Sequence, residues 1–398
     1  MKPDDVVVVA AVRTAVGVFG RSLRDYLAID LAAMVIREAV KRARLEERLG
    51  EIGDVVFGQL YFRNKEEPNI GRLAAWKAGL PKEVPGMTIQ RACASGLQAI
   101  ILGAQEIIAG QCDIVIAGGA ESMSNAPYEL YTLRWGRRWK NEELFDAMYA
   151  PILDCPPTGI GMGMTAENLA DMFNISREEM DQFAYTSHMW AARAFDEGRF
   201  EDEILPVPVR GQDGQETLFR RDESIRKDTS LEKLAQLPPV FKEGGKVTAG
   251  NSCPLNDAAS VLVLMRRSKA EALGLAPMAR VVSYAVVGVD PDIMGYGPIP
   301  ATRKALAIAG LKITDIDLFE INEAFASVPL AYMKDLGVSR DVLNVNGGAI
   351  ALGHPIGATG AKITTTLLYE MRRRGAKRGL TGICQGTGMG TAVIWESE

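Results

Sequence analysis

The sequence predicts an α/β protein built from two similarly ordered halves packed together, with a long insertion between them. Three observations carry this reading. Strand-like and helix-like segments alternate through the first 122 residues, the same order returns after residue 279, and residues 125–248 break the rhythm. A length of 398 residues with 47% hydrophobic content suits about two to three domains and a sizeable core.

The first strand is the apolar run 6–11, with acidic residues before it and Arg13 after it, which is not the pattern of a signal peptide. A helix is predicted over 28–43 and a strand over 54–59. Residues 87–91 then lead into Cys93, so Cys93 lies at a strand-to-helix turn. An apolar helix follows, ending near Gly110, and a β-rich run at 113–117 closes on Gly118-Gly119-Ala120-Glu121-Ser122. In the insertion, Ser176-Arg177-Glu178-Glu179 is a capping-box start for a helix running to Gly198. Tyr131, Trp135 and Trp139 stand four residues apart, the spacing of one helical face. The second half opens with a strand at 280–287 and a helix at 300–309 ended by Gly310. Residues 317–321 answer the strand at 54–59, 342–345 precede a glycine turn, and a helix at 358–374 precedes Gly382-Ile383-Cys384.

A net charge of -5 gives no general attraction to nucleic acid or to anionic membranes. No apolar run approaches the ~18 residues of a membrane span, and the terminal Glu396-Ser397-Glu398 is not a peroxisomal tripeptide, so a cytoplasmic enzyme is expected. The five cysteines (Cys93, Cys112, Cys155, Cys253 and Cys384) lack the close pairs of a zinc site or a disulfide framework. Free thiols and no catalytic metal are expected. No Gly-x-Gly-x-x-Gly follows the first strand, and Gly118-Gly119 continues as Ala120-Glu121-Ser122, so no nicotinamide cofactor is predicted.

Three reactive side chains sit beside small or glycine residues where backbone N–H groups can approach a ligand: Cys93, His354 and Cys384. Free cysteine is mostly protonated at neutral pH, so a nucleophilic Cys93 needs a base or a helix N-terminus beside it, and its turn supplies the latter. Taken alone, Cys93 reads equally well as a small buried hydrophobe, and for Cys112 and Cys155 that reading wins. His354, in Gly353-His354-Pro355, has little regular structure to fill and reads as a positioned base. His188 lies mid-helix at the edge of an apolar stripe and is assigned no chemistry. Gly386, Gly388 and Gly390 permit a tight turn that can aim N–H groups at a developing oxyanion.

Together these segments resemble the thiolase family, over almost the whole chain. Arg91 to Gly96 resembles its nucleophile segment, Gly118 to Tyr128 its post-strand segment and Asn322-Glu323-Ala324-Phe325-Ala326 its asparagine segment. Asn346 to Gly360 resembles its histidine segment, and Cys384-Gln385-Gly386-Thr387-Gly388-Met389-Gly390 completes the set. The resemblance implies a thiolase-like fold, with residues 1–122 and 250–275 as an N-terminal domain, 123–249 as an inserted loop domain covering coenzyme A, and 276–398 as a C-terminal domain.

It also implies an acyl-CoA:acetyl-CoA C-acyltransferase in which His354 deprotonates Cys93 and Cys384 handles the second proton. Asn322 with a water, together with His354, would form one oxyanion pocket. The N–H groups of Cys93 and Gly386 would form the other. Met162, Arg226, Ala249, Ser252 and Cys253 would line the path of coenzyme A, bound as substrate with no tightly held cofactor, and Met294 and Phe325 would lie at the acyl end. A homodimer joined through the first half is implied, or a homotetramer in which part of residues 125–157 pairs two such dimers. Two departures from the family bear on substrate: Gly161 stands where acetoacetyl-specific members often carry histidine, and Cys253 replaces a common serine. The resemblance leans toward a broad-range 3-ketoacyl-CoA thiolase, with a short-chain acetyl-CoA acetyltransferase as the alternative. A ketosynthase would place a second histidine where Asn322 stands. A CoA-thioester binding protein without catalysis is opposed by the intact Cys93, Asn322, His354 and Cys384.

Overall fold

A computed structural model describes residues 5–62, 67–136, 138–149, 157–211 and 214–398. Among the described residues the principal sheet has eleven strands, two of them short pairings at Gly17–Val18 and Ile204–Leu205, and nine along its main path: β1 (Val6–Thr14), β2 (Asp54–Gly58), β3 (Met87–Ile89), β4 (Ile114–Ser122), β5 (Asn256–Arg266), β6 (Ala279–Gly288), β7 (Leu318–Ile321), β8 (Arg378–Gln385) and β9 (Met389–Ser397). Along the sheet their order is β7-β8-β9-β6-β1-β5-β4-β2-β3.

Read outward from its centre, this order is a duplication. In the first half β1 pairs antiparallel with β5, β5 antiparallel with β4, β4 parallel with β2, and β2 parallel with β3. In the second half β6 pairs antiparallel with β9, β9 antiparallel with β8, and β8 parallel with β7. The outermost strand of the second half is reduced to one parallel bridge, Phe319 to Leu343, where a strand at 342–345 is expected from the sequence. The halves join along β1 and β6, with Val7 opposite Arg280 and Val8 opposite Ala279.

Side chains alternate across a strand, so each half has two faces to cover. In β1, Val7, Ala10 and Val12 join an outer core with α1 (Ala28–Arg42) and α2 (Ile70–Ala78), whereas Val6, Val8 and Ala11 turn inward. The change of parity between Val8 and Ala10 is a β-bulge. The inner faces of both halves enclose two helices, α3 (Ser95–Ile108) and a long helix over Thr359–Arg374 near the C-terminus. Both are buried around most of their circumference, α3 mainly through apolar residues and the second helix with threonines, Lys362 and Glu370 among its buried side chains.

The insertion contributes α4 (Met162–Met172) and α5 (Arg177–Asp196), the latter opened by the expected capping box between Ser176 and Glu179. Ala166, Leu169, Met180 and Phe183 from these helices share the outer core of the second half with α6 (Pro298–Ala309) and α7 (Ser327–Leu336). The middle-layer helix Thr359–Arg374 is α8. Tyr131, Trp135 and Trp139 do not form the expected helical face. That segment holds only a single 3-10 turn at Leu133–Trp135 and a two-residue hairpin, and all three rings stand exposed. Four-residue spacing alone does not stabilise a helix.

The Gly118-Gly119 pair lies inside β4 and does not close it. The reason is packing, because a Cβ on Gly119 would sit 2.0 Å from the Gly357 carbonyl oxygen. Likewise a Cβ on Gly360 would meet the Leu97 nitrogen at 2.2 Å. These contacts bring the starts of α3 and α8 together at the centre of the molecule.

Candidate active site

Cys93 stands on the turn between β3 and α3. Ala92 before it holds a positive φ of 44°, a costly conformation for a residue with a Cβ. Ser95 holds the turn in place: its hydroxyl accepts from the Arg91 N–H at 2.9 Å and donates to the Ala92 carbonyl at 2.7 Å. The thiol is partly buried and opens onto a cavity of about 460 Å³. Burial pushes it up to about 11, opposed by the backbone N–H groups of Gly386 and of Cys93 itself. The helix N-terminus expected to activate this thiol therefore does not prevail. Desolvation of a thiolate outweighs two N–H dipoles.

His354 is held from three sides. Its N–H donates to Asn256 Oδ1 at 2.8 Å, its Nδ1 lies 2.6 Å from Thr359 Oγ1, and its Nε2 lies 3.5 Å from Asn322 Nδ2. The Thr359 hydroxyl already donates to the Pro355 carbonyl at 2.8 Å, so it accepts from Nδ1–H. That bond fixes the tautomer and leaves Nε2 as the basic atom, its lone pair facing the Asn322 amide at 3.5 Å. Burial first, and then the nearby charge of Lys362, push the imidazole down to about 3. Lys362, buried in α8, donates from Nζ to the Gly353 carbonyl at 3.0 Å, immediately before His354. Its own pKa falls to about 8 through burial.

Asn322 follows β7, with its N–H on the Gly382 carbonyl at 2.9 Å, and its Oδ1 is buried without a protein partner. The next residue, Glu323, accepts from Ser187 Oγ at 2.7 Å, Asn344 Nδ2 at 2.9 Å and the Ile350 N–H at 3.2 Å, tying the asparagine turn to α5 and to the histidine loop. Cys384 is fully buried near the end of β8. Burial holds its thiol well above the usual range, with the Cys93 and Cys253 thiols acting in the same direction. After Cys384 the chain turns through Thr387 and Gly388, at φ 67° and 80°, and this turn presents the Gly386 N–H.

The cavity gathers most of the residues singled out from the sequence. Cys93, His354, Gly386, Met162, Met294, Phe325, Ser252 and Cys253 all line it. Asn322 and Cys384 are not among its lining residues. Arg226 and Ala249 line a second cavity of about 470 Å³, which shares Ser252 and Pro254 with the first. The first is largely apolar, whereas the second is lined by Arg21, Arg226 and Lys233 alongside Glu223 and Asp228. The apolar cavity that holds Cys93 and the polar, cation-bearing one thus adjoin at Ser252 and Pro254.

His188, read as chemically silent, is buried and accepts from the Arg226 N–H through Nδ1 at 3.3 Å, and it also lines this polar cavity. Burial and the charge of Arg226 push it down to about 4. Cys112 packs by Gly53 away from both cavities, and Cys155 lies outside the described residues. Sequence reasoning missed Tyr61, Phe241, Ile356, Thr359, Lys362 and the role of Glu121. Glu121 is buried and accepts N–H bonds from Leu60, Tyr61 and Gly357 at 2.8–3.0 Å, and burial pushes it up to about 8. Glu121 and Thr359 lie inside the recognised segments, so their position was readable although their partners were not.

Two family models match the chain, the thiolase N-terminal domain over residues 6–268 and the thiolase C-terminal domain over residues 275–397. An acetyl-CoA acetyltransferase of Syntrophomonas wolfei subsp. wolfei is 50% identical over 397 residues, covering 99% of each chain. The crystal structure of the Bacillus anthracis acetyl-CoA acetyltransferase superposes with a TM-score of 0.96 at 46% identity, over 99% of each chain. The crystal structure of human mitochondrial 3-ketoacyl-CoA thiolase in complex with CoA matches with a TM-score of 0.94 at 40% identity, over 99% of this chain and 98% of that one.

Proposed function

The chain belongs to the thiolase family, and from that premise we propose how its residues perform acyl-CoA:acetyl-CoA C-acyltransfer. It is an acyltransferase that cleaves 3-oxoacyl-CoA with coenzyme A or runs the reverse condensation. His354 Nε2 takes the proton of Cys93, and Sγ attacks the 3-oxo carbonyl. The C2–C3 bond then breaks, the acyl group stays on Cys93 as a thioester, and the departing acetyl-CoA enolate takes its proton from Cys384. A second coenzyme A, deprotonated by the Cys384 thiolate, attacks the thioester and leaves as the shortened acyl-CoA, while Cys93 Sγ departs and takes back its proton from His354.

The observation that carries this reading is the convergence of the Cys93 and Gly386 N–H groups on the Cys93 sulfur. An oxyanion on the carbon attached to that sulfur falls within their reach, and donors of this kind contribute about 3 kcal/mol each. The unpaired Asn322 Oδ1 supports a second oxyanion site built with a water and His354. Coenzyme A follows the path through the polar cavity, with Arg226 at its phosphates and Ser252 and Met162 along its arm, as substrate and not as a tightly bound group. The alternative activity, an acetyl-CoA C-acetyltransferase making or cleaving acetoacetyl-CoA, uses the same residues on the shortest acyl group.

The proposed domains are 1–122 with 250–275, 123–249, and 276–398, and the proposed setting is a cytoplasmic homodimer or homotetramer. Among the described residues no helix is long and apolar enough to cross a membrane. Mixing the protein with acetoacetyl-CoA and free coenzyme A tests the function: two acetyl-CoA should appear per acetoacetyl-CoA consumed. Failure to cleave this and longer 3-oxoacyl-CoAs refutes the proposal and leaves a CoA-thioester binding protein.

A further inference from the structure

We infer that Tyr61 determines acyl-chain length and restricts the enzyme to short 3-oxoacyl chains of about four to six carbons, an inference that rests on Cys93 being the acyl acceptor. The coenzyme A arm reaches Cys93 past Ser252 and Pro254, where the two cavities meet. A separate small apolar cluster of Tyr61, Met123, Met148 and Ile356 packs against Cys93 and shares no residue with the polar cavity. That cluster is the wall an acyl chain on Sγ meets as it grows.

Tyr61 differs from the rest of this wall in two ways. Its backbone is pinned, since its N–H donates to Glu121 Oε1 at 3.0 Å and its carbonyl accepts from Gln59 Nε2 at 3.1 Å. The ring therefore cannot retreat by a backbone shift. Its hydroxyl is buried in a residue only 6% exposed and has no partner among the described residues. Phenylalanine would fill the same space, so the hydroxyl is not there for packing. Methylene groups laid against an unsatisfied buried hydroxyl gain little from leaving water, because they keep that hydroxyl from any partner. Bulk and polarity thus act in the same direction against a long alkyl chain.

The test is kcat/KM for thiolysis of unbranched 3-oxoacyl-CoAs of four, six, eight and ten carbons by the wild type, Tyr61→Phe and Tyr61→Ala. Wild type should favour four or six carbons. The ten-carbon to four-carbon ratio should rise about 10-fold or more in Tyr61→Ala and roughly 2- to 5-fold in Tyr61→Phe, the scale at which apolar pockets discriminate methylenes. If Tyr61→Ala does not fold, Tyr61→Leu takes its place, and Tyr61→Phe must still raise the ratio. A wild-type preference for ten carbons, or a ratio unchanged in the folded variants, overturns the inference while leaving the acyltransferase intact. Cleavage of none of the series by the wild type overturns the functional reading itself.

Discussion

With the Cys93 thiol pushed up to about 11 and His354 held down to about 3, the pair rests as a neutral thiol and a neutral imidazole. Deprotonation then belongs to the attack step, with His354 Nε2 as general base and no preformed ion pair. The thiolate fraction of a group whose pKa is raised to about 11 grows tenfold per pH unit below that value. Alkylation of the free enzyme by iodoacetamide should therefore quicken about tenfold per unit between roughly pH 7 and 9. A plateau reached by pH 8 would reveal a standing thiolate–imidazolium pair. The two cysteines also separate by role. Cys93→Ser should form no acyl adduct from acyl-CoA, or form it far more slowly, because a hydroxyl ionises much less readily. Cys384→Ser should accumulate the adduct slowly and fail to turn over. Intact-mass measurement of each variant after incubation with acyl-CoA decides, and a label that maps to Cys384 would invert the assignment.

At the level of elements, the site depends on how closely the starts of α3 and α8 approach. Cys93 precedes one of these helices and His354 the other, and Gly360 lets α8 pass 2.2 Å from the Leu97 nitrogen as measured from a built Cβ. The obstacle is backbone, which cannot swing aside as a flexible side chain would. Gly360→Ala should cost at least about 1–3 kcal/mol of stability and displace His354 from Cys93. Chemical denaturation should show the lowered midpoint, and kcat should fall with it. An unchanged midpoint would mean that the helices have slack the contact does not suggest. The short outer strand of the second half makes a related point. Residues 342–345 carry the apolar pattern of a strand, yet only Leu343 bridges to Phe319, because Asn344 has a positive φ and spends its side chain on β7 and Glu323.

For the whole molecule, the rings of Tyr131, Trp135 and Trp139 stand exposed, with Tyr131 packing against Phe145 of its own segment. Exposed aromatic rings of this kind suit a contact with a second copy of the chain. Light scattering at micromolar concentration should give a dimer or tetramer. A clean monomer would defeat that expectation, and replacing Trp135 and Trp139 together by serine should weaken a tetramer without unfolding the protein.

The sequence by itself determined the α/β class and the repeated order of elements, and it singled out the residues proposed to react. Strand and helix periodicity are local properties, and Arg91 to Gly96, Asn346 to Gly360 and Cys384 to Gly390 are contiguous words. The tertiary structure decided what those residues face. Burial raises the Cys93 thiol, and the Gly386 N–H that opposes this comes from a turn far along the chain. Thr359 fixed the His354 tautomer, Lys362 came to lie beneath the histidine loop, and His188 came to line the cavity with Arg226. Tyr61 joined Cys93 through packing between segments that no spacing rule connects. Periodicity records which face of an element is apolar; only the packed chain sets which charge, donor or ring stands opposite it.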